Sequence, residues 1–233
     1  MLAHPALPRQ TGAYDLIISD CDGVVIDSEV VAEAVLARHL KSQLPDLDVA
    51  AMLDGKHGMM TEALLALIVQ ETGWVMPPAF REALFLDVRH SVMTEATIIA
   101  GITEAYQALS LPLAVASNSQ YPHIVHAAER AGLSALFKDR LFSASQVARP
   151  KPHPDLYLLA ADTLGVAPAR CLVIEDSTTG ASAGLAAGMT VIGFTGASHI
   201  QAGHAESLRQ IGVHHVIDRM AALPALVESL RLS

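Results

Sequence analysis

Asp15-Leu16-Ile17-Ile18-Ser19-Asp20-Cys21-Asp22-Gly23 sets two carboxylates directly behind a run of aliphatic residues. A short apolar run without alternation suits a strand buried on both faces, as in a parallel sheet. In open α/β sheets ligands bind beyond the carboxyl ends of the strands, where Asp20 and Asp22 would lie. Side chains two apart on an extended segment point the same way, so both carboxylates can share one cleft. Gly23 then allows a sharp turn. Taken alone, the pair is equally well explained as two aspartates in a turn.

Outward from this stretch, short apolar runs alternate with helical periodicity, the pattern of βαβ units. Strands are predicted at Tyr14–Ser19, Leu113–Ser117, Arg140–Phe142, Cys171–Glu175, Thr190–Gly193 and His214–Ile217. Helices are predicted near 102–110, 121–131, 154–164, 177–187, 204–210 and 221–231. From about Glu29 to Ala96 no strand is evident, only helical stretches at Val30–Lys41, Thr61–Glu71 and Ala79–Met93. Pro77-Pro78 would start the last, since proline tolerates the first helical turn. The expected fold class is α/β. It comprises a Rossmann-like three-layer parallel-sheet core, residues 1–28 and 97–233, with an inserted α-helical cap domain at 29–96.

Composition narrows the function. The formal charge is −9 and Lys and Arg are not clustered, which argues against a nucleic-acid partner. No apolar run approaches the ~20 residues of a membrane helix. The first dozen residues hold two prolines and no apolar signal core, and are expected to form a loose leader. Two cysteines, Cys21 and Cys171, make neither a disulfide framework nor a zinc set, so a reducing cytoplasm is expected.

A second acidic pair strengthens the reading of the first. Cys171-Leu172-Val173-Ile174-Glu175-Asp176-Ser177 is again an apolar strand ending in carboxylates. Parallel strands end at one edge, so Glu175 and Asp176 could converge on Asp20 and Asp22. Four carboxylates in one cleft would repel, and a hard divalent cation such as Mg²⁺ relieves the conflict. Asp176-Ser177 also fits a helix N-cap. Leu113-Ala114-Val115-Ala116-Ser117-Asn118-Ser119 ends in groups that can hold phosphate oxygens. Arg149-Pro150-Lys151-Pro152-His153-Pro154-Asp155 sets a lysine between prolines, where it could neutralise a phosphate. Ser117 as a helix cap and Lys151 as a surface charge are the plainer readings of each alone.

The order of these four motifs resembles the haloacid dehalogenase superfamily. The resemblance runs from about Tyr14 through nearly the whole chain, including Asp27-Ser28 and Gly180, Gly184 and Ala187-Gly188-Met189. The helical insertion looks like that superfamily's small cap. Within it the chain is most similar to the branch of β-phosphoglucomutase and sugar-phosphate phosphatases such as 6-phosphogluconate phosphatase.

The resemblance implies that Asp20 is a nucleophile forming an aspartyl phosphate, and that Asp22 is the acid/base. It implies Mg²⁺ held by Asp20, the Asp22 carbonyl and Asp176, with Glu175 a direct or outer ligand. Ser117 and Lys151 match phosphate-binding residues, assisted by Asn118. The implied activity is a phosphatase acting on a small phosphorylated metabolite, a sugar phosphate or sugar-acid phosphate. Two departures weaken the mutase alternative: Ala32 stands at the mutase's helping histidine, and Gly58 at its phosphate-gripping arginine. A non-catalytic phosphometabolite-binding protein is a further alternative, against which the intact motif set argues. Gly55, Lys56 and His57 are the candidate substrate-contacting residues of the cap, although an exposed polar turn explains them equally well. The chain is expected to be a monomer or at most a weak homodimer.

Other signals are set aside. Gly180-Ala181-Ser182-Ala183-Gly184 matches a serine-hydrolase pattern, but Ser182 would fall inside a helix rather than on a nucleophile elbow. His199, His204, His214 and His215 lack zinc-type spacing and are expected in loops or on the surface. Cys21 sits between carboxylates that disfavour its thiolate.

Overall fold

A computed structural model of the protein describes residues 12–53 and 61–232. Two compact units divide the chain, Met1–Asp27 with Ile98–Ser233, and Ser28–Thr97. Among the described residues, no helix is long and apolar enough to cross a membrane.

The first unit is built on six parallel strands: β1 (Leu16–Ser19), β4 (Leu113–Ser117), β5 (Leu141–Ser143), β6 (Cys171–Glu175), β7 (Thr190–Phe194) and β8 (His215–Ile217). They lie in the order β5-β4-β1-β6-β7-β8. The chain runs outward from β1 to β5, then restarts beside β1 and runs outward to β8. The reversal falls between β1 and β6, where open parallel sheets bind their ligands. Ile17 pairs with Leu113 on one side and with Leu172 on the other, which brings the ends of β1, β4 and β6 to one edge.

Burial on both faces explains the unbroken apolar runs. Leu16, Ile17 and Ile18 have no exposed surface. Leu16 and Ile18 join a cluster with Leu156, Tyr157 and Ala160 of helix α8 (Asp155–Thr163) and Ala181 and Ala183 of α9 (Thr178–Ala186). Ser19, on the opposite face of the strand, meets the Tyr106 hydroxyl of α5 (Ile102–Gln107), 2.7 Å away. Helices therefore cover both faces, the three-layer arrangement expected. Gly184 is where α9 approaches the sheet, because a Cβ there would sit 2.9 Å from Val191 and 3.3 Å from Val173.

The second unit is helical: α1 (Glu29–Gln43), α2 (Val49–Leu53), α3 (Thr61–Thr72) and α4 (Pro78–Glu95). Val35, Leu36 and Leu40 of α1, Leu65 and Ile68 of α3, and Phe80 and Leu84 of α4 form its core. Trp74 packs edge-on to Phe80 at 4.8 Å. Helix α4 starts at Pro78 behind an extended Pro77, as proline chemistry dictates.

Differences from the sequence expectation are local. The strand expected from Tyr14 starts at Leu16, and that expected at Arg140–Phe142 is Leu141–Ser143. Two-residue strands β2 (Ile26–Asp27) and β3 (Thr97–Ile98), and the single-turn helices α2 and α7 (Ser134–Phe137), are too short to show a period.

Candidate active site

Asp20 begins the loop after β1. Its N–H donates to the Ile174 carbonyl on β6 at 2.9 Å, and its Oδ1 accepts from the Cys21 N–H at 2.7 Å. The loop closes on itself, with the Val25 and Ile26 N–H groups both donating to the Cys21 carbonyl. Gly23 is required twice. Its φ of 74° is left-handed, and a Cβ there would fall 1.8 Å from Asp176 Oδ2.

At the end of β6, Glu175 is fully buried and Asp176 is nearly so. Ser177 caps α9, accepting from the Gly180 N–H at 3.0 Å. The capping reading and a functional Asp176 are thus compatible. Lys151 brings a buried ammonium to these groups, 3.0 Å from Asp20 Oδ1 and 2.7 Å from Glu175 Oε1. The Tyr157 hydroxyl donates to the same Glu175 oxygen at 2.6 Å, and the ammonium lies over the Tyr157 ring at 4.7 Å. Glu175 Oε2 faces the Ser177 hydroxyl at 3.3 Å. Glu175 is accordingly first an anchor for Lys151.

Asn118 binds the backbone of Lys151 from both directions. Its Nδ2 donates to the Lys151 carbonyl at 3.1 Å, and its Oδ1 accepts from the Lys151 N–H at 3.0 Å. The Asn118 amide therefore ties the end of β4 to the Lys151 loop, and its Nδ2 carries a second N–H beyond that bond. Ser117, also buried, donates to Asp22 Oδ2 at 3.2 Å, and Ser119 donates to the same oxygen at 2.7 Å. Asp22 Oδ1 pairs with His123 Nε2 at 2.7 Å. The Asp22 carboxylate thus turns toward the β4 loop and α6 (Tyr121–Arg130). A metal role for Asp22 would fall to its carbonyl, as the resemblance has it.

Burial, and next the Glu175 charge, hold both the Asp20 and Asp176 carboxyls well above the ordinary carboxylate range, with Lys151 opposing. Burial disfavours the Lys151 ammonium, but Asp20 and Glu175 outweigh it and hold the lysine charged. Asp20, Glu175 and Asp176 offer oxygens all within 4.8 Å of one another. Three buried carboxylates against one ammonium leave unbalanced negative charge. An all-oxygen donor set of that kind fits a hard dication such as Mg²⁺.

Three histidines and a tyrosine here escaped the sequence reading. His199, expected in a loop or on the surface, is buried with Nε2 3.1 Å from Asp176 Oδ2, off the line of a hydrogen bond. His204 Nε2 pairs with the Asp176 carbonyl at 2.5 Å. Both follow the end of β7, so the strand-end rule was the available signal. His123 and Tyr157 carried none, since each lies inside a helix whose facing depends on packing. Gly55, Lys56 and His57 lie outside the described residues. Ser182 falls within α9, away from any strand-to-helix elbow.

A haloacid dehalogenase-like hydrolase family model matches residues 14–188. A conserved haloacid dehalogenase-like protein of unknown function from Agrobacterium tumefaciens is 35% identical, with a TM-score of 0.83 over 93% of this chain and 99% of that one. A hydrolase of the same family from Deinococcus radiodurans, crystallised with phosphate and sodium, is also 35% identical, with a TM-score of 0.75 over 95% and 99%. The 6-phosphogluconate phosphatase of Escherichia coli is 26% identical over 186 residues, 79% of this chain and 84% of that protein. With its six parallel strands and the acidic ends of β1 and β6, the chain belongs to the haloacid dehalogenase-like hydrolases.

Proposed function

We propose that the protein is a Mg²⁺-dependent phosphatase that hydrolyses a small phosphorylated metabolite, a sugar phosphate or sugar-acid phosphate, through an aspartyl phosphate on Asp20. The observation that carries this reading is the buried Lys151 ammonium, 3.0 Å from Asp20 Oδ1, beside the carboxylates of Glu175 and Asp176.

Asp20 attacks phosphorus, and the bond to the departing sugar oxygen breaks as the new one forms. Lys151 balances charge on the transferring group, the principal task in phosphoryl transfer. Asp22 hands a proton to the leaving alkoxide and later takes one from the water that cleaves the aspartyl phosphate, releasing inorganic phosphate. Such proton transfer is worth roughly 10²–10⁴ in rate. The Ser117 hydroxyl, aimed at Asp22, is within the same cluster and serves the phosphate oxygens. Asp20, Asp176 and the Asp22 carbonyl would hold Mg²⁺, with Glu175 behind them, and the ion supplies positive charge for the phosphoryl oxygens. The helical unit Ser28–Thr97, inserted after the β1 loop, is assigned the cap's part in substrate choice. Gly55, Lys56 and His57 are its candidate residues.

Phosphate release from a panel of sugar phosphates tests the reading, with Mg²⁺ and again with a chelator. Wild type is expected to turn over only with Mg²⁺. Asp20→Asn should be folded and inactive, and retained activity in that variant would overturn the assignment.

A further inference from the structure

One group of side chains next to the carboxylates has different chemistry. Cys21 Sγ, a carboxylate oxygen of Asp22 and a ring nitrogen of His123 all lie within 4.8 Å of one another. The three come from two separately anchored elements. The loop after β1 carries Cys21 and Asp22, and the first turn of α6 carries His123. Asp22 is oriented by the Ser117 and Ser119 hydroxyls on Oδ2, which presents Oδ1 to His123 Nε2 at 2.7 Å. Cys21 is only 1% exposed, whereas the side chains of Asp22 and His123 keep 17% and 15% exposure. The group is therefore shielded on the thiol side and open on the other.

We propose that Cys21, Asp22 and His123 form a second metal site, selective for Zn²⁺ over Mg²⁺, whose occupation inhibits the enzyme. Zinc accepts thiolate, imidazole and carboxylate donors, and its open sites combine three protein ligands with a water that completes the tetrahedron. Mg²⁺ prefers oxygen donors, so the two neighbouring clusters sort divalent ions by softness. On binding, the Cys21 thiol loses its proton to water and the thiolate forms the metal–sulfur bond. His123 binds as neutral imidazole through Nε2 and keeps its proton on Nδ1. The Asp22 carboxylate binds through Oδ1. Inhibition rests on the phosphatase reading, because the ion would occupy the carboxylate assigned to proton transfer.

Co²⁺ serves as an optical probe of the full-length protein in excess Mg²⁺. Wild type is expected to develop a thiolate-to-cobalt charge-transfer band at one equivalent, which Zn²⁺ then bleaches. Cys21→Ser should lose the band, Cys171→Ser should keep it, and His123→Ala should weaken Co²⁺ binding by roughly tenfold or more. Absence of the band in wild type, or a band unchanged in Cys21→Ser, overturns the site. If Cys21→Ser does not fold, unaltered Co²⁺ affinity in His123→Ala overturns it equally. In the second arm, Zn²⁺ should inhibit Mg²⁺-dependent phosphate release and His123→Ala should raise the inhibitory concentration by roughly tenfold. Cobalt binding without phosphatase activity sinks the phosphatase reading alone, while an active enzyme without the band sinks this one.

Discussion

Lys151 Nζ lies 2.7 Å from Glu175 Oε1, and neither side chain has appreciable contact with solvent. The pair joins the loop after β5 to the end of β6 and fixes where the ammonium meets Asp20. Breaking a buried pair on one side strands a charge, at about 3–5 kcal/mol. Geometry here is thus coupled to stability.

Tyr157→Phe probes that coupling gently. It removes the 2.6 Å hydrogen bond to Glu175 and keeps the ring beneath the ammonium. Hydrogen bonds to charged groups contribute about 1.5–3 kcal/mol, so denaturant unfolding should show a loss of that order. A change indistinguishable from zero would mean that Glu175 does not depend on the hydroxyl.

Gly180→Ala should run against helix propensity. Alanine in place of glycine ordinarily stabilises a helix by about 1 kcal/mol. At Gly180, however, the new Cβ would lie 1.7 Å from Glu175 Oε1. The carboxylate must move, and Lys151 with it. Thermal melting should therefore drop, and phosphate release should fall by roughly tenfold or more, as displaced catalytic groups do. A variant more stable than wild type would show that Glu175 has another resting place.

Metal loading should stabilise the fold. The mutual repulsion of Asp20, Glu175 and Asp176 is relieved when a cation binds the native state. At 100 times the dissociation constant the gain is about 2.7 kcal/mol. Melting curves with Mg²⁺ and with chelator should separate accordingly. His199→Ala, which removes the neighbour of Asp176 Oδ2, should weaken that response by about 10–100-fold in affinity. Coincident curves for wild type would remove the metal from this site.

Cys171 offers a pH test away from the site. Burial, then Asp15, push its thiol from 9.0 up to about 12. The folded chain therefore keeps this proton where the unfolded chain has lost it. That stability is fully present below 9.0 and declines as pH rises toward about 12. Iodoacetamide should label Cys171 only after denaturation, as mass spectrometry would show. Rapid labelling of the native protein at neutral pH would contradict the burial argument.

Much of the architecture was legible because it depends on one-dimensional patterns. Leu16–Ser19 and Cys171–Glu175 read as strands since double burial leaves an unbroken apolar run, and the acidic residues behind them read as strand ends. The inserted helices read through their period. Partner choice was not legible. Asn118 holds a backbone, Glu175 holds a lysine, and Asp22 faces His123, because a side chain's partner is set by neighbours from other strands and helices. His199 is a sharp case, since its place after the end of β7 marks the sheet edge but only packing sets it against Asp176.

What the sequence determined by itself, then, was the alternation of elements and which of their ends carry charge, because burial acts on each segment through its own periodicity. Only the tertiary structure decided which carboxylate meets Lys151, which meets His123, and that Cys21 joins the latter pair. Those outcomes depend on strand order and helix rotation, properties of the packed chain that no single segment encodes.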